Sequence, residues 1–115
     1  MSDCLFCKIA NKTIPAQVVY EDDRALAFRD INPAAPTHVL VIPRRHIATI
    51  DDAQPGDEAE MGHLFLVAAA VARQEGLERG YRTVMNCKAD AGQSVFHVHL
   101  HVLGGRALGW PPMPS

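Results

Sequence analysis

Long apolar runs are missing from this sequence. No stretch approaches the roughly 18 consecutive apolar residues of a membrane-spanning helix. Basic runs are missing too: the longest is Arg44-Arg45, and the formal charge is −2. Binding to a nucleic-acid backbone needs a positive face, so nucleic acid is excluded as the main partner. A small anion held by a few local groups stays open. The first residues carry no secretory pattern, because Asp3, Lys8 and Lys12 interrupt them before an apolar stretch forms. The expectation is a cytoplasmic protein with no membrane partner. Cysteine is scarce, at Cys4, Cys7 and Cys87. In a reducing compartment these read as thiols or metal ligands, not as a disulfide framework. Internal repeats and low-complexity segments are absent.

What is present suits one folded unit. The chain has 115 residues, of which 48% are hydrophobic, so a packed core is expected over 1–115, with an irregular C-terminal tail from about 104. Leu5, Phe6 and Ile9 fall at helical spacing, and Ile14-Pro15 stops that short helix. Gln17 to Glu21 and Ala25 to Arg29 read as a hairpin across the polar turn Glu21-Asp22-Asp23. After a loop marked by Asn32-Pro33 and Pro36, His38 to Ile42 reads as a third strand closed by Pro43. A long helix follows Pro55-Gly56. Its apolar face is Met61, Leu64, Phe65, Ala68 and Ala72, with acidic Asp57, Glu58 and Glu60 at the positive end and Gly80 as the C-terminal cap. Tyr81 to Asn86 and Val95 to Leu103 read as strands four and five, separated by the polar loop Cys87 to Ser94. Five strands with short turns and one long helix predict an α+β domain with an antiparallel sheet.

The segment His97-Val98-His99-Leu100-His101-Val102-Leu103 carries the chemistry. Strand alternation puts three imidazoles on one face, spaced roughly 6.6 Å apart along the strand, and Val98, Leu100 and Val102 on the other. Three half-buried structural histidines are one explanation, and a metal site is a second. In a third, one imidazole attacks an electrophile while another polarises it. The preceding loop, Ala89-Asp90-Ala91-Gly92-Gln93-Ser94, offers backbone N–H groups at Gly92 and the Ser94 hydroxyl, both suited to phosphate oxygens. Asn86 adds an amide nearby if strands four and five pair.

Gly92-Gln93-Ser94-Val95-Phe96-His97-Val98-His99-Leu100-His101-Val102-Leu103-Gly104-Gly105 closely resembles the histidine triad superfamily, specifically its Hint branch of nucleoside phosphoramidases. Phe6-Cys7-Lys8-Ile9, Ile14-Pro15-Ala16, Glu21-Asp22-Asp23, Leu26-Ala27-Phe28, Asp30-Ile31, Ala35-Pro36-Thr37-His38, Ile42-Pro43, Gly80-Tyr81-Arg82 and Trp110-Pro111-Pro112 extend the likeness over nearly the whole chain. The resemblance implies cleavage of the P–N bond of purine nucleoside phosphoramidates. His99 would attack the α-phosphorus and form a nucleotidyl-histidine that water then hydrolyses. His101 would meet the phosphoryl oxygens, Ser94 would sit near the leaving group, and His38 would complete the proton-handling set. Phe6, Ile9, Phe28, Ile31 and Leu40 would wall the base, though without the resemblance they read as ordinary core. Asp30 would accept from the ribose hydroxyls. Arg29 stands where that branch often carries His. Gly-Gly after Leu103 and His at 101 separate the chain from the dinucleoside polyphosphate and nucleotidyl transferase branches.

Cys4-x-x-Cys7 is half a zinc site by itself. The resemblance supplies His46 and His97 as the other half, a closed Cys2His2 set whose zinc would be structural, with no cofactor needed for catalysis. Cys87 reads as an ordinary thiol and His63 as an exposed or minor core residue. The resemblance further implies a homodimer through the long helix and its neighbouring strand, with a continuous ten-stranded sheet and Trp110 bordering the partner's site. Rival functions are hydrolysis of dinucleoside polyphosphates or acyl-adenylates, a nucleotide-binding regulatory protein, and a metalloenzyme that uses the triad as ligands.

Overall fold

Alternating apolar residues in the central strands give each strand two buried faces, and the sheet is covered on both sides. The computed structural model describes residues 3–113. The elements run α1 (Leu5–Ala10), β1 (Val18–Glu21), β2 (Ala25–Arg29), β3 (Thr37–Pro43), α2 (Glu58–Gln74), β4 (Tyr81–Val84) and β5 (Leu100–Gly104). All pairings are antiparallel, in the order β1-β2-β3-β5-β4. The expected five-stranded antiparallel α+β architecture is therefore present. No helix among the described residues is long and apolar enough to cross a membrane.

Helix α2 covers one face. Leu64, Val67, Ala68, Val71 and Ala72 recur at helical spacing and pack on Ala25, Ala27, Val39, Val41, Leu100 and Val102. Short alanines on both surfaces let helix and sheet approach closely. Phe65 does not belong to this stripe, contrary to expectation. One residue on from Leu64 turns it about 100° around the axis, and it is half-exposed beside the exposed Leu66. The opposite face of β2 and β3 carries Leu26, Phe28, Leu40 and Ile42, closed by Phe6, Ile9 and Ala10 of α1. Each residue class sits where the period-2 alternation of β2 and β3 sends it.

Several boundaries differ from those read in the sequence. Helix α2 ends at Gln74, with Glu75 as its cap, not near Gly80. Gly76 takes φ +73, and the amides of Gly76 and Leu77 return to the carbonyls of Arg73 and Ala72. That is a glycine-terminated helix end with the orphan carbonyls satisfied. Gly80 serves the following turn, its amide bonded to Leu77. β4 stops at Val84 and does not reach Asn86. β5 begins only at Leu100 and includes Gly104. Residues 95–99 precede the ladder, whose first pairs on this strand are Val41 with Leu100 and Val84 with His101. One backbone bond, Val98 N–H to the Ile47 carbonyl at 2.8 Å, ties that segment to the chain beside it.

Candidate active site

β3 and β5 bring the imidazoles together. His101 pairs with Leu40 and His38 with Leu103, so both rings point to the face opposite α2. There a cavity of about 420 Å³ is lined by Phe6, Ile9, Phe28, Asp30, Ile31, Leu40, Ser94, His99 and His101, among others. Its volume lies in the range of small-molecule sites. Phe6 meets Phe28 and His99 edge-on, with ring centroids 5.4 and 5.0 Å away. Ile31 is 91% exposed and forms an open rim, not a closed wall. A hollow of about 500 Å³ between the turn at 76–80 and residues 105–107 carries no imidazole or thiol.

Backbone groups assign the protons. An N–H only donates and a carbonyl only accepts, so each fixes the ring nitrogen it meets. Nδ1 of His99 lies 2.9 Å from the His97 carbonyl and must carry the proton. In the neutral ring Nε2 of His99 is then bare, the state a nucleophilic imidazole needs. His101 neighbours it with ring centroids 5.0 Å apart, and Nδ1 of His101 lies 2.9 Å from Nε2 of His38. Nε2 of His101 is buried without a protein partner. Burial holds His101 down at about 4, with His99 and His38 adding to the effect and Asp30 opposing it. Burial also lowers His38, again against Asp30. Both rings are neutral near pH 7.

His97 turns away from the cavity. It is fully buried, and its Nε2–H donates to the Pro43 carbonyl at 2.8 Å. Nδ1 is left bare among Cys4 Sγ at 3.4 Å, Cys7 Sγ at 3.5 Å and His46 Nδ1 at 3.2 Å; Cys7 Sγ to His46 Nδ1 is 3.4 Å. Ligands about 2.0–2.3 Å from a tetrahedral centre stand about 3.3–3.8 Å apart, so this spacing suits zinc. The cause is local: Cys4 caps α1, which brings Cys7 one turn on beside it. Burial, with His46 and His99 adding, pushes His97 down to about 4, so its lone pair is free near neutrality.

A second group, Asp30, His38 and His101, is close enough to share an ion but does not fit one. The Ala34 N–H donates to Nδ1 of His38 at 2.9 Å, so the neutral ring keeps its proton on Nε2, the nitrogen that faces the others.

The remaining expected residues are placed as follows. Ser94 is exposed on the cavity edge. Gly92 adopts φ +92, but its amide bonds to Ala89, so that donor is spent inside the loop. Asn86 lies beyond β4, partly buried and outside the cavity lining. Trp110 is 82% exposed. Three residues had roles that the sequence reading missed. Gln93 is buried and clamps the loop through Lys88 N–H and the carbonyls of Ala48 and Val95. Arg29 points to the α2 face and makes a two-pronged bond to Glu75 at 2.9 and 3.0 Å. His63 reaches Asp22 at 2.7 Å. Alternation in β2 sends the Arg29 side chain to the helix side, while the residue itself still borders the cavity. The Ala48 carbonyl that Gln93 meets and the Asp22 that His63 meets lie 45 and 41 residues away, beyond any local pattern.

Residues 11–108 match the HIT domain family model. The chain is 54% identical to an uncharacterised HIT-like protein of Synechococcus elongatus over 96% of both chains. Among solved structures, a HIT family hydrolase from Legionella pneumophila is 54% identical, with a TM-score of 0.94 over 96% of this chain and 100% of that one. A histidine triad nucleotide-binding protein from Candida albicans is 28% identical, with a TM-score of 0.81 over 98% and 86%.

Proposed function

The chain belongs to the HIT domain family, and from that premise we propose that it is a nucleotide hydrolase cleaving the P–N bond of purine nucleoside 5′-phosphoramidates. The observation that carries this reading is the pairing of a bare His99 Nε2 with the unpartnered Nε2 of His101. Both belong to residues lining a cavity with apolar walls and a carboxylate, Asp30. His99 attacks phosphorus, the new P–N bond forms as the bond to the amine breaks, and the amine leaves with a proton drawn from solvent. Water then attacks the nucleotidyl-histidine, gives up a proton to solvent and releases a nucleoside monophosphate, returning the bare ring. The Nε2–H of His101 meets a phosphoryl oxygen as charge builds there. Asp30 holds the ribose, and Phe6, Ile9, Phe28 and Leu40 hold the base. Ser94 faces the leaving group.

The spacing of Cys4, Cys7, His46 and His97 supports a structural zinc. Bound there, the ion contributes folding free energy and no chemistry to the reaction. The exposed Phe65 and Leu66 of α2 and the exposed Tyr81 on edge strand β4 support a homodimer that buries apolar surface. Exposed Trp110 then has a partner surface to meet.

The test is turnover of adenosine 5′-phosphoramidate against diadenosine polyphosphate by purified protein, with acid quenching to trap the intermediate. Faster cleavage of the phosphoramidate and a nucleotide label on His99 are expected. Preferred cleavage of the dinucleotide, or label on another residue, overturns the reading.

A further inference from the structure

One backbone amide decides where two protons sit. The loop from β2 to β3 runs Asp30-Ile31-Asn32-Pro33-Ala34-Ala35-Pro36, and the Ala34 N–H lies 2.9 Å from Nδ1 of His38. That nitrogen can only accept, so the neutral His38 ring holds its proton on Nε2. Nε2 stands 2.9 Å from Nδ1 of His101 and 3.4 Å from an Asp30 oxygen, and the shorter contact takes the proton. Nδ1 of His101 therefore accepts as well, and the proton of His101 is on Nε2, the buried atom without a protein partner.

Left to themselves, two neutral imidazoles joined by one N–H···N bond have two equivalent arrangements. In the other one, Nδ1 of His101 donates to His38 and Nε2 of His101 presents a lone pair. That lone pair repels a phosphoryl oxygen where an N–H would attract it. The other arrangement also sets the Nδ1–H of His38 head to head with the Ala34 N–H, two donors with no acceptor between them. The amide removes the degeneracy.

We propose that the Ala34 amide is the positioning group of this site: through His38, it holds His101 as an Nε2–H donor toward the reacting phosphoryl group. The inference rests on the reading of His101 as the residue that meets the phosphoryl oxygens. The loop is built to aim that amide. Pro33 and Pro36 fix two backbone angles. The Asn32 amide bonds to Asp30 Oδ1 at 2.8 Å, and the Asp30 amide bonds to the His38 carbonyl at 3.0 Å. Gly105, at φ +97, packs so closely on the loop that a Cβ there would lie 2.8 Å from Cβ of Pro36. The second glycine of the Gly104-Gly105 pair therefore braces the loop that carries the amide.

The experiment replaces Ala34 in the full chain by lactic acid, which turns the amide N–H into an ester oxygen; the same change at Ala35 is the control. Ring ¹⁵N shifts of labelled histidine report which nitrogen carries each proton. In the native chain His38 and His101 are both expected as Nε2–H tautomers. In the Ala34 ester chain both rings should redistribute, and kcat on a phosphoramidate should fall about tenfold or more. Affinity for the unphosphorylated nucleoside should be unchanged, and the Ala35 ester should behave as native. An Nδ1–H on either ring in the native chain overturns the inference, as do unchanged tautomers in the Ala34 ester. Redistributed tautomers with full kcat overturn the positioning role. A native chain that cleaves no phosphoramidate removes the proposed function, and the ring measurements still decide the inference.

Discussion

Replacing His99 by Ala separates the covalent path from everything else the site does. The variant keeps the cavity walls, His38, His101 and the amide that orients them, so it keeps whatever rate comes from binding and proton handling. On the proposed mechanism it loses the imidazole nitrogen that attacks phosphorus, and with it both half-reactions. Turnover should fall by at least about 10³. The folded state also changes. The His97 carbonyl loses its donor at 2.9 Å, and Phe6 loses an edge contact at 5.0 Å. Water can enter from the cavity and satisfy the carbonyl, which keeps that cost near the lower end of about 1–3 kcal/mol. The aromatic contact adds about 0.5–1.5 kcal/mol. A melting temperature lower by about 5–10 °C is expected, so kinetics belong well below both transitions. The assay is single-turnover cleavage of a phosphoramidate, with nucleotide affinity measured by titration calorimetry on the same preparation. Affinity should largely survive. A folded variant that retains more than a tenth of native turnover would show that attack does not pass through this nitrogen.

Three other perturbations test separate parts of the structure. If the Cys2His2 group holds zinc, native protein purified without chelators should carry about one zinc per chain. Cys4→Ser should lose that metal and melt lower, and elemental analysis finding none in the native chain refutes the site. Asp22 is held at about 2: burial alone would raise it, but the amides of Arg24 and Ala25 and the His63 ring outweigh that. A folded value below the ordinary 3.8 means stability present above about pH 4 and lost as pH falls toward 2. Asp22→Asn should therefore be less stable by about 1 kcal/mol near neutrality, allowing for partial solvent screening; denaturant titrations showing the same gap at pH values near 2 contradict this. Lys88 adopts φ 71 and ψ −177, a region comfortable only for glycine. Lys88→Gly should gain about 1 kcal/mol after loss of the exposed pair with Asp51, and a lower melting temperature would refute the strain.

The fold was legible because its signals are local. The polar turn at Glu21-Asp22-Asp23 and the prolines at 33, 36 and 43 bound β2 and β3, and helical spacing marks α2. Boundaries failed where the deciding partner was distant. The alternation of 95–103 continues through both halves of the segment, so the pattern alone could not show that pairing begins at Leu100. Gly76 and Gly80 both suit a helix end, and only the return of two amides to Ala72 and Arg73 selects the first. The 3–4 spacing admits Phe65 to the apolar face, but Val67 and Val71 complete the buried stripe instead. The cavity residues were reached through family resemblance. From spacing alone, Phe6, Ile9, Phe28 and Leu40 are core, and they are in fact buried in the α1-side cluster as well as lining the cavity.

The early end of strand pairing explains why two chemically different groups sit on one short segment. A ladder would fix residues 95–99 through alternating backbone bonds, but here a single amide bond at Val98 joins them to the neighbouring chain at Ile47. His97 replaces the ladder. Its ring is held at one nitrogen by the Pro43 carbonyl, at the end of β3, and faces Cys4, Cys7 and His46 with the other. Its own carbonyl then receives the Nδ1–H of His99. The same two cysteines bracket the start of α1, whose Phe6 and Ile9 line the cavity. One group of four side chains thus joins the end of β3, the start of α1 and the backbone that orients His99. The arrangement releases the histidine segment from the sheet, so that His99 can face a ligand, without leaving its tautomer to chance.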